Sequence, residues 1–285
     1  MHIRIMKRDF DILVIGAGIN GQIMSLAAAY AGFSVALLDQ NSFIESTLRE
    51  FDGRAYAIAF SSVQMMKNLN LWKKIEDTAQ PILNIKVSHG TIEKGPASAT
   101  LQFNNADIEE SPMAQMLEDR YLRQCLIHEI KKNTFIDLFE QRTISEIIDL
   151  NSKKHITLDN NSKLQASLLV ASDGIDSPTA KAFGIRKTGW KYKQCGLVCA
   201  VNHEYSSDNT AYQYFLPEGP LAILPIKNKT ASIVWTESIQ NASTISEMSD
   251  AEYLNILQNR FGNFLGNLKL TGKRLSFPLK LSIAK

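Results

Sequence analysis

Residues Phe10–Asp39 read FDILVIGAGINGQIMSLAAAYAGFSVALLD: an apolar run, a turn with glycine at positions 16, 18 and 21, a stretch of helical period, a second apolar run and an acid at its end. The pattern predicts a strand over Ile12–Ile15, a helix from about Gly18 to Ala31 closed by Gly32, and a strand over Val35–Leu38, which together make a β-α-β unit. In such a unit Gly16 permits the tight turn, Gly18 lets a diphosphate approach the backbone, and Gly21 lets the helix lie close to the strand. The helix start then offers main-chain N–H groups and the positive end of its dipole to the phosphates. Asp39 falls about twenty residues after the turn, where a carboxylate accepts the hydroxyls of an adenosine ribose. An acid there favours FAD or NAD over NADP. A bare glycine pattern is a weak signal, but the strand before it, the helix after it and the acid at this distance make it specific for a dinucleotide. The plainer alternative is that the glycines serve only a turn and a close helix contact.

The chain has 285 residues, of which 45% are hydrophobic and 21% charged, with a formal charge of +2. This is the balance of a globular protein of one or two domains. Lys and Arg are dispersed among Asp and Glu with no basic tract, which argues against a nucleic-acid partner. No apolar run reaches the eighteen or so residues of a membrane span. The basic opening MHIRIMKRDF runs straight into the glycine turn rather than a cleavage site, so the expected location is cytoplasmic. Cys125, Cys195 and Cys199 are an odd set without an export signal, and reduced thiols are expected. The spacing of Cys195, Cys199 and His203 invites a metal, but GLVCAV reads as a strand and a fourth ligand is not evident. No metal centre is expected.

Further along, Asp52-Gly53-Arg54-Ala55 sits between a polar loop and an apolar stretch. Arg54 there could reach a phosphate or a flavin edge, or be a solvated arginine of a surface turn. A helix is expected over about Ser61–Leu71. Alternating runs between Ile82 and Phe103 predict two strands of a small antiparallel sheet, with His89 at the end of one as a surface residue. Met116–Lys131 carries Leu122, Leu126 and Ile130 at helical spacing and is expected to be a helix with Arg120 and Arg123 near its start. Strands are expected at Phe135–Phe139, Ile144–Leu150, His155–Leu158 and Leu168–Ala171. Ser172-Asp173-Gly174 then turns the chain into a helix beginning near Ser177-Pro178. Asp173 at a strand's carboxyl end is placed either to contact a ligand or to cap that helix. From about Gly189 short strands with turns at Pro217–Pro220 and Lys227–Lys229 predict an antiparallel second domain. It is followed by a helix from the capping box at Ser249 to Leu265, and by a last strand.

These clusters occur in a recognisable order: the glycine turn with Asp39, then DGRAYAIA, MLEDRYLRQCL, ASDGIDS, GPLAILPI and SIVWT. In this the chain resembles FAD-dependent aromatic-ring monooxygenases of the p-hydroxybenzoate hydroxylase type, and most closely their ubiquinone-biosynthesis branch, which acts on polyprenylated phenols. The resemblance implies an α/β fold: a Rossmann-like, three-layer FAD-binding domain with an inserted antiparallel β-sheet substrate domain. Residues 1–80 and 106–185 would form the FAD-binding domain. Residues 81–105 and 186–275 would form the substrate domain, and 276–285 would begin a return to the first. It further implies Gly16, Gly18 and Gly21 on the FAD diphosphate, Asp39 on its ribose, Arg54 beside flavin or phosphates, and Asp173-Gly174 near the cofactor. The family's arginine or amide at a helix start falls on Asp119 or Arg120. An arginine frequent after Asp-Gly is replaced, Ala180 and Lys181 standing there.

The activity implied is hydroxylation of an aromatic ring by way of a flavin hydroperoxide, with NAD(P)H as donor, O2 as co-substrate and no protein nucleophile. The partners implied are a polyprenylphenol, the periphery of the inner membrane and a ubiquinone-biosynthesis complex. The family pattern continues into a Gly-Asp segment, whereas this sequence ends at Lys285. The expectation is therefore a truncated chain that is completed by a separate C-terminal fragment or is an inactive remnant. An NAD-dependent dehydrogenase would need a catalytic pair that the sequence does not present.

Overall fold

The first strand, β1 (Arg8–Ile15), is buried along most of its length because neighbours pair with it on both edges. This is the environment that selects a continuous apolar run over an alternating one. The structure is a computed structural model that describes residues 8–42, 50–91, 95–107, 112–150 and 152–284. It divides into two compact units, the first formed by residues 1–48, 123–188 and 282–285 and the second by 49–122 and 189–281.

In the first unit, α1 (Ile19–Tyr30) follows β1 and leads to β2 (Val35–Leu38), as the spacing of the opening stretch requires. The helix ends in a Schellman arrangement, Gly32 N–H donating to Ala29 O and Phe33 N–H to Ala28 O. Its buried face is small, being Gly21, Gln22, Ser25, Leu26, Ala28 and Ala29, and so α1 packs closely on β1 and β2. After β8 (Ile136–Phe139) come β9 (Ile144–Leu150), β10 (Lys153–Leu158) and β11 (Lys163–Ala171). The sheet order is β8-β2-β1-β11-β10-β9, parallel through β11 and antiparallel beyond it. Phe10, Leu13, Leu38, Ile156, Leu158 and Leu164 form the core on it.

The second unit contains β3 (Ala55–Ala59), α2 (Phe60–Asn68), β4 (Gln80–Ile82), β5 (Asn84–Thr91), β6 (Gly95–Asn104) and β7 (Ala114–Glu118). Later in the chain lie β12 (Lys187–His203), β13 (Thr210–Leu216), β14 (Gly219–Ile226), β15 (Thr230–Ser238), α5 (Ile239–Glu247), α6 (Asp250–Phe261) and β16 (Leu268–Ala284). β12 and β16 each run from one unit into the other. Seven strands make one sheet in the order β16-β12-β15-β14-β13-β5-β6, and β3-β7-β4 make a small one. The sheet is not wholly antiparallel as expected, because β5 lies parallel to β13 with Asn84 opposite Thr210. The Ser249 capping box is present, its helix ending at Phe261 rather than Leu265.

One reading of the sequence is corrected. Met116–Glu118 belong to β7 and not to the following helix, α3, which runs Asp119–Lys132. Met116 and Leu117 are fully buried, paired with Ala57 and Tyr56 in the small sheet. That sheet lies within residues 49–122, which belong to the second unit. Ile82 and Met116 pack with Ala211 and Ile226 of the large sheet.

The main core of this unit lies between the large sheet and α5 and α6, around Trp235, Tyr253 and Leu257. Within it Arg260 of α6 pairs with Glu237 of β15 at 2.7 Å, both side chains being almost wholly buried. Glu237 also accepts from Trp235 Nε1 and Asn241 Nδ2, and the Arg260 guanidinium lies 4.3 Å from the Trp235 ring centre. Removing one partner strands a buried charge, whereas removing both does not. Glu237→Ala is therefore expected to lower the unfolding free energy by about 3–5 kcal/mol. The joint variant Glu237→Leu with Arg260→Met should recover most of that in urea unfolding. A loss from Glu237→Ala below about 1 kcal/mol would show that water reaches the pair.

Candidate cofactor site

Because β1, β2 and β11 are parallel and in register, Ile15, Leu38 and Ala171 end at one edge of the first unit's sheet. The segments that follow them converge there. Gly16 and Gly18, Asp39, Gln40 and Asn41, and Ser172, Asp173 and Gly174 line one cavity of about 670 Å³, within the range of small-molecule sites. The loops are stitched to the sheet by main-chain bonds, Gly16 N–H to Leu38 O at 2.8 Å and Ser172 N–H to Ile15 O at 2.7 Å.

The three glycines have three separate reasons. Gly16 has φ +92°, and a Cβ there would meet Ser172 O at 2.5 Å. At Gly21 a Cβ would lie 1.9 Å from Gly16 O, so the helix touches the turn backbone to backbone. Gly21 is thus a packing residue and does not line the cavity. Gly18 is the reverse case, lining the cavity with nothing within 4 Å of where its Cβ would stand. It is the N-cap of α1 and brings no side-chain cap. The first N–H groups of the helix therefore have no side-chain cap from this residue, an arrangement that suits an anion.

Asp39 has a task inside the fold. Its Oδ2 accepts from Ala17 N–H at 2.7 Å and its Oδ1 from Asn41 N–H at 2.8 Å, tying the end of β2 to the glycine turn. Each carboxylate oxygen keeps a second lone pair for a ribose hydroxyl. Asp173 serves the helix that follows it and also lines the cavity. Its Oδ2 accepts from Thr179 N–H at 3.1 Å in α4 (Pro178–Ala182), whose N-cap is Ser177, while its Oδ1 is buried with no hydrogen-bond partner among the described residues. Burial opposes the charge of Asp173, but hydrogen bonds with Ser177 and Thr179 outweigh it and hold the carboxyl below its ordinary value. The group is an ionised acceptor at neutral pH, and a ligand donor would satisfy its orphaned oxygen.

The wall is completed by Pro178, Thr179 and Ala182 of α4 and by Arg142 to Ile147, a segment with no site residue singled out from sequence. Arg142 N–H donates to Asp39 O at 3.0 Å, fixing this segment beside the end of β2. The signal exists only in the strand order, since β8 lies next to β2 and delivers its following loop to the same edge. An adenine-bearing dinucleotide fits these groups: exposed amides for its diphosphate, a carboxylate with free lone pairs for its ribose, and an unsatisfied acceptor.

The two arginines singled out from sequence lie in the second unit. Arg54 is clamped by Asp52, its Nε at 2.8 Å and its Nη2 at 2.7 Å from Asp52 Oδ2, and its Nη2 is 3.3 Å from buried Asp119. Tyr56 donates to Asp119 Oδ1 at 2.7 Å. A close backbone approach supports the turn, because a Cβ on Gly272 would fall 2.7 Å from Gly53 N, and Lys273 N–H donates to Asp52 O. Of the alternatives Asp119 and Arg120, the former belongs to this network. Arg120 pairs with Glu118 at 2.6 Å and lies 4.6 Å from the Tyr121 ring centre. The three cysteines are buried thiols outside any disulfide. Burial pushes the Cys199 thiol up to about 11, and His203 Nδ1 lies 2.6 Å from Tyr205 O.

The chain belongs to the FAD binding domain family, whose model matches residues 9–276. It is 30% identical over 275 residues to ubiquinone hydroxylase UbiL of Rhodospirillum rubrum, covering 96% of this chain and 62% of that protein. It is 25% identical over 288 residues to the mitochondrial ubiquinone biosynthesis monooxygenase COQ6 of Dictyostelium discoideum, covering 88% of this chain and 57% of that protein. The chain thus spans about three fifths of the length of these relatives. Among solved structures it resembles PqsL of Pseudomonas aeruginosa in complex with 2-aminobenzoylacetate, with a TM-score of 0.76 and 16% identity over 92% of this chain and 73% of that one. It also resembles the flavin-dependent monooxygenase PieE in complex with FAD and substrate, with a TM-score of 0.75 and 14% identity over 97% of this chain and 50% of that one. The expected fold class is the one found.

The glycine geometry separates folding from binding. Gly21→Ala forces backbone against backbone and is expected to destabilise the fold by about 1–3 kcal/mol or more. Gly18→Val should leave the melting temperature within a few degrees of wild type while weakening FAD at least tenfold in a fluorescence-quenching titration. Equal losses of stability in the two variants would contradict this division.

Proposed function

We propose that the cavity at the end of β1, β2 and β11 holds FAD and that the chain is the flavin-bearing part of a hydroxylase acting on the ring of a polyprenylated phenol. The observation that carries the reading is the convergence of the uncapped α1 terminus, Asp39 and the orphaned Asp173 oxygen on one cavity of about 670 Å³. Bound there, FAD supplies the redox chemistry, accepting reducing equivalents from NAD(P)H and activating O2 for insertion of one oxygen atom into the ring.

The work of the protein groups is binding and orientation. Main-chain N–H groups at Gly18 and the first turn of α1 meet the diphosphate, and Asp39 accepts from the adenosine ribose. Asp173 accepts one further hydroxyl or N–H donor. Arg54, held by Asp52 and Asp119, and Arg120, held by Glu118, are cations whose direction is set in advance. That arrangement suits contact with phosphates or the flavin edge at small entropic cost. The similarity to UbiL and COQ6 supports a ubiquinone precursor as substrate and, through its lipid tail, work at the membrane periphery. Among the described residues no helix is long and apolar enough to cross a membrane. A chain that binds FAD without turnover is the alternative.

The test is purification with added FAD, followed by an assay with NADH or NADPH, O2 and a polyprenylphenol. The reading expects a yellow protein, donor oxidation that rises with the phenol, and a product heavier by one oxygen. A yellow protein with no product selects the alternative. A colourless protein that takes up no FAD overturns both.

A further inference from the structure

The first unit has a second cavity, of about 270 Å³, whose lining includes Arg8 at the start of β1, Arg142 after β8 and Lys163 at the start of β11. These cations come from three distant parts of the sequence. They meet because β1 and β11 pair with Arg8 opposite Leu164, while β8 lies two strands from β1 in the same sheet. Glu140 is the carboxylate among the described residues that line it. Among the described residues neither Arg142 nor Lys163 has an ion pair, and the Arg142 guanidinium donates to its neighbour's carbonyl, Gln141 O, at 3.0 Å. Arg8 is steered by Asp137 at 3.1 Å and by the Phe139 ring at 5.8 Å.

Neutral donors complete the lining. The side-chain Oδ1 of Asn160 accepts from Ser162 N–H at 3.0 Å, which leaves the Asn160 side-chain amide hydrogens and the Ser162 hydroxyl for another acceptor. The space corresponds to about nine water molecules at about 30 Å³ each, enough for a tetrahedral oxyanion with part of its hydration shell. Like charges gathered this way repel unless an anion joins them. Two planar guanidinium forks with one ammonium and two neutral donors match the several oxygens of a phosphate better than the two of a carboxylate.

We propose that this cavity is a binding site for a dianionic phosphate group, separate from the cofactor cavity and sharing Arg142 with it. Arg142 lines both spaces, so the phosphate sits behind the adenosine end of the dinucleotide site. The proposal stands on its own residues and does not require the flavin reading.

The test is calorimetric titration of the full chain, saturated with FAD to occupy the α1 terminus, with inorganic phosphate at ionic strength held constant by sodium chloride. One saturable site is expected. Arg8→Gln and Lys163→Gln should each weaken it about fivefold, the size of one exposed ion pair. Both side chains are exposed, and an unchanged melting temperature would show that the fold is intact. Ribose 5-phosphate in competition identifies the source: tighter binding than inorganic phosphate marks a sugar phosphate, weaker binding the free ion, and both support the site. Absence of saturable uptake overturns the proposal, as does uptake unchanged in the Arg8→Gln and Lys163→Gln double variant. Should the chain fail to take up FAD, the same dependence on Arg8 and Lys163 is expected without it, so the two readings fail separately.

Discussion

The contact between Gly21 and the carbonyl of Gly16 governs the first unit. With no room for even one carbon atom between helix and turn, α1 is held backbone to backbone against the end of β1. The small face of Gly21, Ser25, Ala28 and Ala29 continues the approach along β1 and β2. The position of the helix start, and so of its unpaired amides, follows from that contact. Asp39 secures the arrangement from the other side by gripping Ala17 N–H. An acid that sequence spacing assigns to a ribose is thus also a strut of the turn. Substitution at Asp39 touches the shape of the site as well as its chemistry.

The second unit uses the same device for another purpose. Gly53 in its turn and Gly272 in β16 let two backbones approach with no room for a side chain between them, and the turn they support points Asp52 at Arg54. Burial of Asp52 works against its charge, but the hydrogen bonds with Arg54 prevail and keep its carboxyl below the ordinary value of 3.8. A carboxyl depressed on folding contributes stability above its unfolded value and loses it as pH falls through the folded one. The clamp on Arg54 is therefore complete at neutral pH and releases only in strong acid.

Local features were legible in the sequence wherever the physics is local. The β1-α1-β2 unit, the Ser249 capping box and the turn at Asp173 depend on residues within a few positions of one another. What was not legible depends on pairing between distant segments. Met116 and Leu117 look like the first turn of a helix because their partners, Ala57 and Tyr56, lie some sixty residues away. The parallel alignment of β5 with β13 leaves no trace in either strand's own pattern. Arg142 carries no motif at all, and its place beside Asp39 is a property of the strand order. The pairing of Arg54 with Asp119 is hidden for the same reason.

Amide chemical shifts of the isotopically labelled chain, followed during titration with FAD, test the central claim most directly, namely that main-chain N–H groups at the start of α1 take the diphosphate. The account predicts that the largest saturable shifts fall on Ala17, Gly18 and Ile19, with a second group at Gln40 and Asn41 beside the ribose acid. Shifts confined to other parts of the chain, with the glycine turn unmoved at saturation, would contradict it.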